Sequence, residues 1–291
     1  TALIQTENGA ITLTGTAGKL NGNSRGIVAQ TSALSILSAT GAITLKDIQP
    51  SGTTGSYYGM YLRANSTGPH YYGSDGTTVL SGTSTASSSN ITIQSDKVSF
   101  VAEGANKINA ISSGNVVVES VGTVFTDAVD ASSFGISGGS SSVRIGKTTN
   151  TANITWASSN TVKGPIKIYG GNITLNSAIG TTNVLTGDVL LRGADINSAY
   201  NISLANGRTL TVDSTGTSVL SGILSGTSAN LVKQGTGAVY LRGLNSYSGL
   251  TTISAGYLEL NTAGSLVTDV VNNAGFGFNQ TADYTFANTI S

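Results

Sequence analysis

Five carboxylate side chains fall into two groups, and the spacing within each group would let its members meet on neighbouring turns of a repeating fold. Asp75, Asp96 and Glu119 lie 21 and 23 residues apart, and Asp188 and Asp213 lie 25 apart. Adjacent carboxylates perform general acid–base chemistry on polysaccharides, often beside an arginine or a metal ion. Fourteen acidic residues in 291 produce such spacings by chance, and no Asp-Asp or Asp-x-Asp pair occurs. We therefore expect no catalytic residues and predict that the chain is not an enzyme.

The sequence predicts neither a metal ion nor a cofactor. Cysteine is absent, which excludes disulfides and thiolate metal sites. The segment GSDG at 73–76 occurs once, whereas calcium-binding β-rolls repeat a motif rich in glycine and aspartate. Asp127 and Asp130 share a short segment that is typical of a solvated surface.

The strongest candidate for recognition is the segment 50–76. It holds five of the eleven tyrosines, two of the three prolines, the only methionine and the only histidine. This composition breaks the surrounding strand pattern and predicts an inserted excursion. Aromatic rings with polar tips bind sugars or protein partners, although we favour the alternative that these rings pack the excursion against the fold. The candidate ligand-binding residues are Tyr57, Tyr58, Tyr61, Arg63, His70, Tyr71 and Tyr72.

Composition excludes several other classes of function. Fourteen basic and fourteen acidic residues cancel, so no basic stripe is available for nucleic acid or for anionic lipid. No apolar run of ~18 residues occurs, so we expect no membrane insertion of this segment. Only 10% of residues are charged and 38% are hydrophobic. The surface must therefore consist largely of hydroxyl and amide groups.

Short alternating runs recur along the chain and predict the elements that position these residues. Alternating runs of this length are half-buried β-strands. One theme occurs as AITL at 10–13 and 42–45, NITI at 90–93, NITW at 153–156, NITL at 172–175 and NISL at 201–204. Several of these copies also form Asn-x-Ser/Thr sequons, which we attribute to turn chemistry rather than to glycosylation. A second theme is GDVLLRG at 187–193 and GAVYLRG at 237–243.

The spacing of these runs predicts the fold class. Frequent gaps of 19–25 residues suit coils of roughly twenty-odd residues that stack on one another. We expect an all-β, parallel β-helix (a β-solenoid) with loop excursions and almost no α-helix. It forms a single segment over 1–291 of a larger protein. The glycine- and serine-rich stretch at 131–142 predicts a loop or an irregular coil.

Residues 231–260 carry the densest pattern. Three alternating runs, Ala238–Leu241, Thr251–Ile253 and Tyr257–Leu260, are separated by glycines. Because one coil cannot bury its own inner face, such a coil must stack on neighbours. Between the first two runs, we expect Tyr247 to cap the open side of a coil with its hydroxyl in water.

This segment resembles the passenger-associated transport repeat of bacterial autotransporters. Leu250 and Arg242 are mild departures from that pattern. The rest of the chain resembles the looser parallel β-helix of filamentous-haemagglutinin-like adhesins. The resemblance implies an exported bacterial surface protein with a right-handed parallel β-helix stalk. The matching residues are Leu231, Lys233, Gly235, Gly237, Leu241, Gly243, Asn245, Tyr247, Gly249, Thr251, Thr252, Gly256, Leu258 and Leu260.

The sequence thus predicts a structural and adhesive segment of a secreted bacterial surface protein. The expected location is extracellular, at the cell surface, and the expected role is cell adhesion or self-association. The expected partners are a second copy, stacked side by side or end to end, and a host or cell-surface glycan or protein. Two alternatives stay open: a segment of an extracellular filament without a receptor, and a β-helix enzyme of the polysaccharide lyase or hydrolase type.

Overall fold

Parallel β-strands stacked in register account for the architecture of the chain. The computed structural model describes residues 2–6, 9–16, 24–29, 34–38, 41–48, 57–64, 70–72, 88–102, 108–132, 134–137, 139–156, 162–180 and 186–291. None of these residues is α-helical, and the strand pairings within each unit described below are parallel. The expected all-β, parallel β-solenoid is therefore confirmed.

The chain forms two compact units. Unit 1 comprises Thr1–Ala152 and Ala157–Val162, and unit 2 comprises Asn153–Trp156 and Lys163–Ser291. That a single solenoid segment extends over 1–291 stays a prediction.

Unit 1 contains three parallel ladders, β1-β4-β7-β10-β13, β2-β5-β8-β11-β14 and β3-β6-β9. The chain visits the ladders in turn, so β1, β2 and β3 form one coil and β4, β5 and β6 form the next. The strands of unit 1 are β1 (Ala2–Thr6), β2 (Ile11–Thr16), β3 (Ser24–Ala29), β4 (Leu34–Ser38), β5 (Ile43–Ile48), β6 (Tyr57–Ala64), β7 (His70–Tyr72), β8 (Ile91–Gln94), β9 (Val98–Ala102), β10 (Ile108–Ile111), β11 (Asn115–Glu119), β12 (Val129–Asp130), β13 (Phe134–Ser137) and β14 (Ser142–Ile145).

The Ile-Thr theme builds the core of unit 1. Ile11 aligns with Ile43, and Ile43 aligns with Ile91, so the theme recurs at the same position of successive coils. All three isoleucines are buried. The threonines that follow them stack on the opposite, outward face, where β-branched side chains suit a pleated surface.

The structure bears on two expectations for unit 1, the excursion at 50–76 and the loop or irregular coil at 131–142. Residues 57–64 and 70–72 of the expected excursion are strands β6 and β7, which pair with coils on both sides. The remaining residues of 50–76 lie outside the described part of the chain. Of the loop or irregular coil expected at 131–142, the loop is wrong for 134–137, because these residues form β13 and pair with β10, whereas an irregular coil is compatible with this pairing. Phe134 and Ile136 are buried there, so two apolar residues suffice to build a strand between glycines and serines.

Unit 2 contains two long ladders, β16-β18-β21-β24-β26-β28 and β15-β17-β19-β22-β25-β27-β29, and a short third one, β20-β23. Its strands are β15 (Ile154–Trp156), β16 (Ile166–Tyr169), β17 (Ile173–Leu175), β18 (Val189–Gly193), β19 (Ile196–Ser198), β20 (Ile202–Ser203), β21 (Thr209–Ser214), β22 (Thr217–Leu220), β23 (Leu224–Ser225), β24 (Asn230–Gln234), β25 (Ala238–Leu241), β26 (Thr251–Ile253), β27 (Tyr257–Thr262), β28 (Val270–Asn272) and β29 (Gly275–Gln280).

The coils of unit 2 shorten along the chain. Successive register partners in the first long ladder are 23, 21, 21, 20 and 19 residues apart. The expected coil of roughly twenty-odd residues is confirmed for this unit. The register partners that define these lengths, each buried in the core, are Ile166, Val189, Leu210, Leu231, Thr251 and Val270.

Candidate functional site

Asp96 and Glu119, whose spacing allowed a shared column of carboxylates, do not share one. Glu119 lies opposite Gln94 in the β8–β11 ladder, which leaves Asp96 two residues beyond it. Asp75 lies outside the described residues. Glu119 instead accepts hydrogen bonds from Gln94 Nε2 and Arg144 Nη2, both at 2.6 Å. Partial burial raises the pKa of Glu119, but the hydrogen bonds from Gln94 and Arg144 outweigh it and lower the pKa.

Asp188 and Asp213, whose spacing also allowed a shared column, do not share one either. Asp213 lies opposite Arg192 and forms an ion pair with it at 2.6 Å. Asp188 lies just before the start of β18, where its Oδ1 accepts the backbone N–H of Thr209 at 2.9 Å. Coils here are 21 residues long, so two residues separated by 25 cannot share a column. These two carboxylates hold coils together at separate positions.

Asp188 belongs to a larger set of side chains, most of them in turns, that link coils. In each case, a side-chain oxygen of one coil accepts a backbone N–H of the following coil at 2.7–3.1 Å. Asn and Asp favour turns because their short side chains bond nearby backbone. The accepting residues are Asn90, Asp96, Asn153, Asp188, Asp195, Asn197, Asn201, Asn230 and Asp269. Three of them are sequon asparagines, which supports the turn interpretation of those sequons.

The predicted tyrosine-rich site lies on strands of unit 1. Tyr57, Tyr58, Tyr61 and Arg63 are on β6, and His70, Tyr71 and Tyr72 are on β7. The two strands belong to different ladders, β3-β6-β9 and β1-β4-β7-β10-β13. That these residues bind a ligand stays a prediction.

Segment 231–260 contains a buried lysine, which the sequence pattern assigns to the repeat but does not predict to be buried. Lys233 occupies an inward position of β24, in a column with Val212 and Ile253 on the neighbouring coils. It is fully buried, and its Nζ donates to the carbonyls of Gln234 at 2.5 Å and Gly235 at 2.8 Å.

The Lys233 ammonium also links two coils. Its Nζ lies 3.3 Å from the carbonyl oxygen of Ala255, in the following coil. Burial lowers the pKa of Lys233, and the negative charge of Asp213 opposes this shift. Backbone carbonyls thus replace water around a charge that an apolar interior alone would not accommodate.

Two glycines make room for this arrangement. Gly235 and Gly256 both have φ of +73°, a left-handed conformation that other residues rarely adopt. A Cβ atom on Gly256 would lie 2.3 Å from the carbonyl oxygen of Gly237 and 2.8 Å from Lys233 Nζ. The glycines therefore allow successive turns to approach closely around the ammonium.

Asn245 bridges three turns at another corner of the same segment. Its Oδ1 accepts the N–H of Leu224 at 2.9 Å, and its Nδ2 donates to the carbonyls of Gly243 and Ser265 at 2.9 and 3.0 Å. The side chain is 2% exposed, so each of these bonds replaces water.

Tyr247 lies inside the solenoid, so the expectation that its hydroxyl reaches water is wrong. The residue is 2% exposed, and its hydroxyl bonds Thr251 Oγ1 at 2.6 Å. Thr251 Oγ1 in turn bonds Thr268 Oγ1 at 2.8 Å, on the following coil. Burial raises the pKa of Tyr247. This effect is larger than the lowering of the pKa by the hydrogen bonds with Thr251 and Thr268. The three hydroxyls form a buried chain that satisfies each member.

These contacts explain why lysine, asparagine, tyrosine and glycine occur at fixed offsets in this segment. Residues 231–260 match the family model of the passenger-associated-transport-repeat. Segment 231–260 is an autotransporter passenger repeat. In this repeat, Lys233, Asn245 and Tyr247 each join one coil to another through buried hydrogen bonds. No curated protein and no solved structure matches the chain.

Neither a metal-ion site nor a membrane-spanning helix is found among the described residues. No cluster of three or more histidine, cysteine or acidic side chains able to hold a metal ion lies among them. Nor do they include a helix of the length and apolar character needed to cross a membrane.

Proposed function

We propose that the chain is a structural and adhesive segment of a secreted bacterial surface protein, exposed at the cell surface. The observation that carries this proposal is the place of the repeat in the stack of coils. Leu231 pairs in register with Leu210 of the preceding coil and with Thr251 of the following one. The repeat therefore extends the solenoid, and stacked coils are a means of carrying binding surfaces away from a cell.

An exposed apolar corner supports an adhesive or self-associating role. Tyr200, Ile223 and Leu244 are 47%, 37% and 63% exposed and occupy corresponding turns of successive coils; we call them the apolar corner. The backbone N–H of Ile223 donates to Asn201 Oδ1 at 2.8 Å. Leu244 forms an isolated parallel β-bridge with Ser265 of the next coil. Adjacent exposed apolar side chains are typical of interaction surfaces. Zero net charge leaves little repulsion between copies.

Sedimentation velocity over a range of concentrations tests this role, together with attachment of protein-coated beads to host cells. The proposal expects concentration-dependent association or attachment, weakened at least tenfold by Leu244→Asp. Leu250→Asp is the matched control, because Leu250 is 40% exposed in a different turn, and it should behave like the unmodified chain. A chain that stays monomeric and attaches to no cell would contradict the proposal.

The two alternatives give different results in the same tests. A filament segment without a receptor would associate but would leave the beads unattached. The proposal includes no catalytic step, and the structural contacts of Glu119, Asp188 and Asp213 support that view. Incubation with acidic and neutral polysaccharides should release no unsaturated or reducing ends. Their release would favour the enzyme alternative.

A further inference from the structure

A second group of tyrosines lies on the outward face of unit 2, where β25, β27 and β29 are neighbours. Tyr240 aligns with Glu259 of the next coil, and Glu259 aligns with Gly277 of the coil after it. Because their strand neighbours, among them Leu241 and Leu258, are buried, the alternation of the strands places Tyr240 and Glu259 outward. We call Tyr240, Arg242, Tyr257, Glu259 and Asn261 the tyrosine face.

Side-chain hydrogen bonds fix the polar groups of the tyrosine face. The two oxygens of Glu259 accept from the Tyr257 hydroxyl at 3.3 Å and from Asn261 Nδ2 at 2.7 Å. Arg242 Nε donates to Asn261 Oδ1 at 3.2 Å. Only a small share of protein hydrogen bonds join two side chains, so a continuous line of them on a half-exposed surface is unusual.

A strained residue holds the end of this line. Thr262 has φ of +65°, which is a true outlier for a β-branched side chain. Its hydroxyl donates to Asn261 Oδ1 at 2.8 Å and so orients the amide whose Nδ2 reaches Glu259. Strain of this kind concentrates at functional sites.

Two glycines of β29 position the ring of Tyr257. A Cβ atom on Gly277 would lie 1.8 Å from the Tyr257 hydroxyl oxygen, and one on Gly275 would lie 2.8 Å from Cδ2 of the ring. The ring therefore lies along the glycine backbone of the next coil. Partial burial, then the charge and hydrogen bond of Glu259, raise the pKa of Tyr257, so its hydroxyl stays protonated.

We propose that the tyrosine face binds a neutral glycan. Tyr240 and Tyr257 lie on adjacent strands, offset by two residues, which places their Cα atoms roughly 8 Å apart. Two tyrosines on adjacent strands of one outward face can each contact one ring of an oligosaccharide. Glu259 and Asn261 supply fixed acceptors and a donor for sugar hydroxyls, and the charges of Glu259 and Arg242 cancel. A sulfated or uronic-acid glycan gains no net attraction from such a site.

This proposal names a partner class for the adhesive role, but it rests on different residues from the apolar corner. Either can therefore fail alone. If the chain shows no concentration-dependent association in sedimentation and the coated beads attach to no cell, yet the chain still binds a glycan, self-association is excluded. The proposal for the tyrosine face then stands.

Binding of the purified chain to a printed array of neutral and anionic glycans tests the inference, followed by titration with the best soluble neutral oligosaccharide. The unmodified chain should bind at least one neutral structure. Tyr240→Ala should weaken that binding at least tenfold. Leu250→Ala, which removes an exposed side chain in a turn outside both the tyrosine face and the apolar corner, should leave it unchanged.

Two further variants separate recognition from packing. A tyrosine ring over glycines also stabilises a sheet by covering its backbone. Tyr257→Phe keeps the ring and removes the hydroxyl, and Glu259→Gln removes the charge. Each should weaken binding at least threefold while the thermal midpoint stays within a few degrees. No binding to any neutral glycan, binding confined to anionic glycans, or binding unaffected by these variants would overturn the inference.

Discussion

At the scale of single residues, Lys233 shows how a charge is accommodated in the interior of a β-solenoid. An alternating strand places an apolar residue at its inward positions, and the neighbours Val212 and Ile253 follow that rule. The lysine stem fits this column, while its ammonium reaches the carbonyls at the adjacent turn. The apolar pattern of the sequence could not indicate this burial, because lysine is normally a surface residue.

Tyr247 provides the clearest pH-dependent prediction. The pKa of its hydroxyl is raised in the folded chain, so the unfolded chain loses this proton first, near the ordinary pKa of about 10. The stability that depends on the protonated hydroxyl is therefore complete below that pH and is lost as the pH rises above it. Tyr247→Phe cannot titrate. Between about pH 9 and pH 11, the unfolding free energy of the unmodified chain should fall by about 1.4 kcal/mol relative to that of Tyr247→Phe, so the unmodified chain changes from the more stable to the less stable of the two.

Urea unfolding of both proteins at the two pH values measures this change. At neutral pH, Tyr247→Phe should cost about 1 kcal/mol, because Thr251 loses a hydrogen-bond partner. Equal pH dependence of the two proteins would show that the Tyr247 hydroxyl is accessible to water in the folded state.

At the scale of turns and strands, close approach between coils limits which residues a turn accepts. Gly256 and Gly207 have similar positive φ values, +73° and +70°. A Cβ atom on Gly256 would meet the backbone of the preceding coil, whereas one on Gly207 would meet nothing within 4 Å. Gly207→Ala should therefore cost about 1–2 kcal/mol from backbone strain alone. Gly256→Ala should cost about 3 kcal/mol or more, since the coils must also separate.

Thermal and urea unfolding of the two alanine variants measure the difference. Because the backbone strain is matched, the excess cost at Gly256 reports the approach of the two coils. Equal destabilisation by both variants would mean that the turn at Gly256 lies too far from the preceding coil for an added Cβ atom to meet its backbone.

The strands and their inward residues could be predicted from the sequence. Ile11, Ile43 and Ile91 belong to copies of one short theme and stack directly on one another. Ile154 and Ile173 do the same in unit 2. In these cases, a period of two and a β-branched residue at the inward position suffice.

The register between neighbouring strands, and the side of the coil to which a strand belongs, could not be predicted in the same way. GDVLLRG at 187–193 and GAVYLRG at 237–243 look alike, yet they belong to β18 and β25 in different ladders. Alternation distinguishes inward from outward positions but not one side of a coil from another. Coil lengths also vary from 19 to 23 residues in unit 2, so a fixed offset such as that between Asp188 and Asp213 does not identify neighbours.

At the scale of the whole molecule, the neutral composition and the bonding between stacked coils both leave few side chains available to bind a ligand. Few charges face outward, and asparagine and aspartate side chains at the turns bond the following coil instead of a ligand. The proposed recognition is confined to places that depart from this pattern. In unit 2, these are the apolar corner and the tyrosine face.

The central claim is that residues 231–260 stack in parallel register with the coils beside them. Val232 aligns with Thr252, and Thr252 aligns with Val271. Adjacent strands are about 4.8 Å apart, which a disulfide can bridge, whereas residues two coils apart are about 9.6 Å apart and cannot be bridged. The chain contains no cysteine, so introduced thiols have no competitors.

Mild oxidation of paired cysteine variants, with peptide mapping by mass spectrometry, is the most direct test. Val232→Cys combined with Thr252→Cys should form an intramolecular disulfide in the folded chain. Val232→Cys combined with Val271→Cys should remain reduced under the same conditions. Cross-linking of the second pair, or failure of the first, would contradict the stacked register on which the account rests.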